Sequence, residues 1–180
     1  MITNPQLPPL NGYIEVECPY GRVYRSVDTG ILFYPNMEPV NPDDPDVLSI
    51  QKTNRIQQSK ADLASYLEAH PLLWADGKYY SITSEKQQWL TSKLFSAAAA
   101  KAAGEEYPLT WNDTEEVCRA WTYEDLWALA RVIDARVTAL VTYQQTQELA
   151  IRNAATQEEL DAITVDYDTV PAPQLPEANP

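Results

Sequence analysis

The stretch "LTWNDTEEVCRAWTYEDLWALA", residues 109–130, decides the reading of this chain, because it holds three of the five tryptophans and changes periodicity halfway along. "LTWN" and "VCRAW" read as two short strands around "DTEE". From Thr122 onward the spacing becomes helical, with Asp125 three residues on to complete the helix start. The helix carries Leu126, Ala130, Ile133, Val137, Leu140, Gln144, Gln147 and Ile151, alternately four and three apart, which is a heptad seam. About 29 residues at 1.5 Å each predict a rod of roughly 40 Å. Trp111 and Trp121 fall on the hairpin and Trp127 one turn into the helix, so the indoles are expected to seal hairpin against helix. The competing reading is a ligand cage, which needs exposed rings.

Working outward, Asp76-Gly77 in "LLWADGKYYSI" (72–82) predicts a second hairpin, since a tight turn needs positive φ at the glycine. Ser84 with Gln87, preceded by Ile82, spells a capping box with a hydrophobic staple. A helix is expected from there to Ala103, stopped by Gly104, with Leu90, Leu94, Ala97 and Ala98 as its apolar stripe. A further helix is expected within 46–69, on a mostly polar background. Thr156 with Glu159 caps a last short helix.

Proline sets the boundaries. Eight of the fourteen prolines precede residue 46 and four lie in the last ten residues. The expected organisation is an extended arm (1–45), a helical body (46–165) and a flexible acidic tail (166–180) that stays mobile unless captured. In the arm, "GYIEVE" (12–17) alternates like a half-covered strand, and "GRVYRSVDTGILFYP" (21–35) reads as a hairpin turning at Asp28, Thr29 and Gly30. The fold class is therefore α+β, mainly helical. It combines a helical body, two short β-hairpins, one long helix, an extended N-terminal β arm and a proline-rich tail.

Composition excludes several functions. A net charge of −13 and a pI near 4.3 oppose binding to nucleic acid or to an anionic membrane surface. No apolar run approaches 18 residues, and the start lacks the basic and apolar regions of a signal peptide, so no membrane partner is expected. Cys18 and Cys118 are too isolated for a zinc or redox motif, and Cys118 is expected to be a small buried hydrophobe. His70, the single histidine, precedes Pro71 and suits a helix C-terminus. With no second histidine, no phosphate-cradling glycine loop and only sequence-adjacent acid pairs, neither an enzyme activity nor a cofactor is expected.

Gln144 and Gln147 interrupt the heptad seam. They either fix the register of a homo-oligomer, dimer or trimer, or lie where the helix faces solvent or its own chain.

The body also resembles a known family. "DGKYYSITSEKQQWL", "LTWNDTEEVCRAWTYEDLWALA" and "VTYQQTQELAIRNAATQEEL" are similar to a domain of unknown function common in the tail-fibre gene clusters of bacteriophages and prophages. The resemblance covers residues 74–163. It rests on a D-G-x-Y-Y hairpin, an L-T-W-N strand, a W-T-Y-E-D-L helix start, a Y-Q-Q pair and an A-A-T-x-E-E-L cap, in that order. In the arm, "VDTGILFYP" (27–35) faintly echoes the T-G-x-F-Y-P opening of tail-fibre assembly chaperones, with one extra residue.

The resemblance implies a tail accessory protein that binds a phage tail fibre, as assembly chaperone or retained virion component. Its place would be the host cytoplasm during assembly, and the virion tail if retained. The rival expectations are a trimeric structural subunit of tail or fibre, and a carbohydrate-binding module at a fibre tip. The residues expected to meet a partner are Tyr34, Tyr79, Trp111, Trp121, Trp127, Gln144 and Gln147.

Overall fold

A computed structural model describes residues 7–19 and 21–174. The fold is α+β and mainly helical, as expected, with four α-helices and three small antiparallel sheets among the described residues. The chain forms two compact units. One comprises residues 1–58 and 148–164, the other residues 59–147 and 165–180.

The first unit contains the arm. Strands β1 (Tyr13–Cys18), β2 (Gly21–Ser26) and β3 (Leu32–Phe33) form a sheet in that order. The β2–β3 hairpin turns where expected, with Gly30 at φ 72° and its N–H donating to the Ser26 carbonyl. Helix α1 (Pro45–Ala69) starts with proline at its first position, where a missing N–H costs nothing. The Asp44 carboxylate caps it by accepting from the Asp46 N–H at 3.0 Å. Within this unit Leu48 and Ile56 of α1 pack with Ile151, Ala154 and Leu160. Leu160 belongs to α4 (Gln157–Asp161), whose Thr156 cap accepts from the Glu159 N–H as expected.

The second unit holds the larger core. The strand pair β4 (Leu72–Leu73) and β5 (Tyr79–Tyr80) closes around Asp76-Gly77, with Gly77 at φ 76°. The pair β6 (Thr110–Asn112) and β7 (Cys118–Ala120) closes around a turn organised by Asp113. That buried carboxylate accepts from the Glu115 and Val117 N–H groups and pairs with Arg119 at 3.0 Å.

Helix α2 (Ser84–Ala103) is capped by Thr83, one residue before the expected Ser84, because the Thr83 hydroxyl accepts from the Lys86 N–H. Gln87 bonds the Ile82 carbonyl, and Gly104 ends the helix at φ 71°. Helix α3 (Tyr123–Asn153) presents Leu126, Leu129, Ile133 and Leu140 to the same core as Leu90 and Leu94 of α2.

Two expectations are corrected. Cys118 is exposed, because β7 turns it outward, and Arg119 on the same strand is the residue that reaches buried Asp113. The tail is captured over residues 166–171 rather than mobile from 166. A 3-10 turn, Tyr167–Thr169, buries Tyr167 and Val170 in the second unit's core. The Tyr167 hydroxyl donates to the Ser59 carbonyl at 2.6 Å, and Arg136 donates to the carbonyls of Val170 and Pro171. The remainder of the tail expectation, 175–180, lies outside the described residues.

Candidate partner-binding groove

The three indoles of the opening stretch have different fates. Trp111 is buried in the core opposite Arg119. Trp121, just past β7, is half-buried with its ring edge-to-face on Tyr80 at 5.6 Å. Trp111 is thus part of the second unit's core and Trp121 packs against it. Trp127 does not: its ring is 48% exposed and stacks on Tyr123 one helical turn earlier, at 6.2 Å and 9° between planes. The reason is angular. Leu126 and Leu129 take the core-facing positions of the first turns, which leaves Trp127 on the flank of α3.

That flank forms one wall of a groove of about 480 Å³ between α2 and α3. Leu94, Ala98 and Ala130 give it an apolar floor, Phe95, Tyr123 and Trp127 line it, and Thr91, Arg131 and Asp134 stand at its polar end. Phe95 is 77% exposed, more than any other large hydrophobic side chain among the described residues. Two aromatic rings left in water beside a floor of small side chains form a surface built for contact. At the other end of the groove Lys101 lies 5.6 Å from the Tyr123 ring centre and bonds Glu124 at 3.0 Å. The hydrogen bond from Lys101 holds the Glu124 carboxyl below its usual range.

The other expected partner residues are scattered. Tyr79 is half exposed on β5. Tyr34 is half-buried in the arm, where its N–H donates to the Glu38 carbonyl. Gln147 is half-buried on α3. Gln144 is buried, and its side-chain amide donates to the Ser59 hydroxyl at 3.1 Å. The heptad seam is thus covered by the chain itself: Leu126, Ile133, Leu140, Gln144 and Ile151 are all buried. Gln144, expected as a possible contact between subunits, is thus engaged within its own chain. Trp111 and Gln144 act as scaffold, while Trp127 and Tyr79 are open.

Sequence reasoning passed over Phe95. Its signal was available: an aromatic residue directly after Leu94 lies off the Leu90–Leu94–Ala97 stripe, so it cannot share that stripe's core.

Three phenols in the second unit titrate high. Burial is the main cause for Tyr66, Tyr80 and Tyr167, with Asp168 and Asp76 adding to it at Tyr66 and Tyr80, and Tyr167 is pushed up to about 12. Each is a packing group with its hydroxyl engaged. Among the described residues no three metal-ligating side chains gather, and no helix is long and apolar enough to cross a membrane. Compared with known proteins, the chain matches no family model, no curated protein and no solved structure.

Proposed function

We propose that this chain is a bacteriophage tail accessory protein that binds a tail fibre, as an assembly chaperone or a retained virion component. The observation that carries the reading is the open aromatic groove of Phe95, Tyr123 and Trp127 on an otherwise strongly acidic chain. A fibre subunit exposes apolar surface until its trimer forms, and a holder must offer apolar contact while keeping the complex soluble. The groove offers the contact, and the net charge of −13 keeps the complex soluble. The run of motifs over 74–163 that resembles tail-fibre cluster proteins supports the same reading, since Tyr123, Trp127 and Phe95 all lie inside it. The chain would act in the host cytoplasm during assembly and, if retained, in the virion tail.

The test is co-expression with the fibre proteins of the genome that encodes it. Co-elution with one fibre and a higher yield of soluble fibre trimer support the proposal. No co-elution with any of them refutes it. Quantitative mass spectrometry of purified particles then separates the two roles: a fixed ratio to fibre means a virion component, and presence in lysate alone means an assembly factor.

A second reading has one observation in its favour. The exposed Trp127 ring beside Arg131 and Asp134 also suits the apolar face and hydroxyls of a sugar, as in a carbohydrate-binding module at a fibre tip. Tryptophan emission that no host glycan shifts would remove it.

A further inference from the structure

We propose that the groove between α2 and α3 is also a self-association surface, through which two copies of the chain pair about a two-fold axis. A chain carrying −13 repels its own copy, so any pairing must use a patch whose local charge is balanced. The groove is such a patch: its charged lining residues are one cation, Arg131, and one anion, Asp134. They stand three positions apart on the outer side of α3, both exposed, and neither bonds another group among the described residues.

A two-fold contact is self-complementary by construction, so residue i of one copy meets residue j of the other, and j meets i. An axis crossing α3 between Arg131 and Asp134 sets Arg131 of each copy against Asp134 of the other. Two ion pairs then form from groups that have no partner among the described residues. The same operation covers each Phe95, 77% exposed, with the groove of the other copy. The opposite arrangement, in which like charges meet, is disfavoured on the same patch, so the charges choose the orientation as well as the partner.

The exposed parts of Phe95 and Trp127 amount to on the order of 250 Å² per copy, well below the roughly 800 Å² per partner of a standard stable interface, so the pairing is weak and reversible. A reversible dimer hides the aromatic groove while no partner is present. This inference shares the groove with the proposed function but does not depend on fibre binding, because it is measured on the purified chain alone.

The experiment is sedimentation equilibrium of the full chain from low micromolar to millimolar concentration in about 150 mM salt, where distant charge repulsion is screened beyond about 8 Å. The expected result is a mass rising from the 20.3 kDa monomer toward two copies. Arg131→Asp and Asp134→Arg should each weaken pairing at least tenfold, by setting like charges face to face. Mixing the two variants should restore it, because one then presents two anions and the other two cations. Both positions are exposed, so neither variant threatens folding. A wild-type chain that stays monomeric overturns the proposal, as do a mass beyond two copies, single variants that pair like wild type, or a mixture that stays monomeric.

Discussion

The Gln144 side-chain amide donates to the Ser59 hydroxyl at 3.1 Å, joining α3 to α1 within the second unit, at the seam position where a polar residue could have set an oligomer's register. Gln144 is thereby bonded within its own chain. Replacing Gln144 with alanine should lower unfolding free energy by about 1–3 kcal/mol, since a buried hydrogen bond is lost and a gap opens. Subunit number should not change. Urea unfolding with sedimentation velocity checks both; a changed subunit number would show that the seam also serves between copies.

Trp111 and Trp127 are the same residue type with opposite roles, so truncating them should separate stability from binding. Trp111→Ala should cost about 3–5 kcal/mol, because it empties a packed site in the core that also holds Leu109 and Ile82. Trp127→Ala should change stability by less than about 1 kcal/mol, its ring already standing half in water. Thermal unfolding followed by circular dichroism compares them. Equal losses would mean that the Trp127 ring is covered in solution.

Much of this organisation is legible in the sequence wherever one local rule acts alone. Asp76-Gly77 announces its hairpin because only glycine adopts that φ cheaply, and Gly104 ends α2 for the same reason. The apolar spacing of α3 identifies the buried face, but periodicity says nothing about whether the covering surface comes from the same chain or another. Ser59 supplies that answer from 85 residues away, in a helix with no marked stripe of its own. Tyr167 is illegible for a similar reason: nothing within "VDYDTV" distinguishes a docked tyrosine from a solvated one until the Ser59 carbonyl and the Tyr143 ring are placed beside it. Phe95 is illegible from the apolar stripe, because a stripe marks the buried face of a helix and carries no information about the residues beside it.

The three raised phenols, two buried and one half-buried, predict a one-sided pH dependence. Tyr66, Tyr80 and Tyr167 have folded-state values raised above the ordinary 10.0, Tyr167 to about 12. A raised value means that the folded chain holds the proton more tightly. The stabilisation is therefore complete below about pH 10 and lost as pH climbs toward 12 and beyond. Urea midpoints read by far-ultraviolet circular dichroism should fall across that window, and Tyr167→Phe should flatten part of the fall. A midpoint constant to pH 12 would contradict the burial of Tyr80 and Tyr167.

Arg136 fastens the captured tail, donating to the Val170 carbonyl at 2.7 Å, to that of Pro171 at 3.0 Å and to the Tyr66 hydroxyl at 3.1 Å. Arg136→Gln should loosen this segment selectively, because three charge-assisted bonds are lost at once. Hydrogen exchange at the Asp168, Thr169 and Val170 amides should quicken at least tenfold while the centre of α2 keeps its protection. Exchange that quickens equally throughout would mean that Arg136 supports the whole core.

The most direct test of the account compares fibre binding by the wild-type chain with that of Phe95→Ala and Trp127→Ala, by titration calorimetry against the co-purifying fibre protein. The groove account predicts at least a tenfold loss of affinity in each variant, with secondary structure and unfolding midpoint essentially intact, as expected for aromatic anchors at the centre of a contact. Full affinity in both variants would contradict it and place fibre recognition elsewhere on the chain.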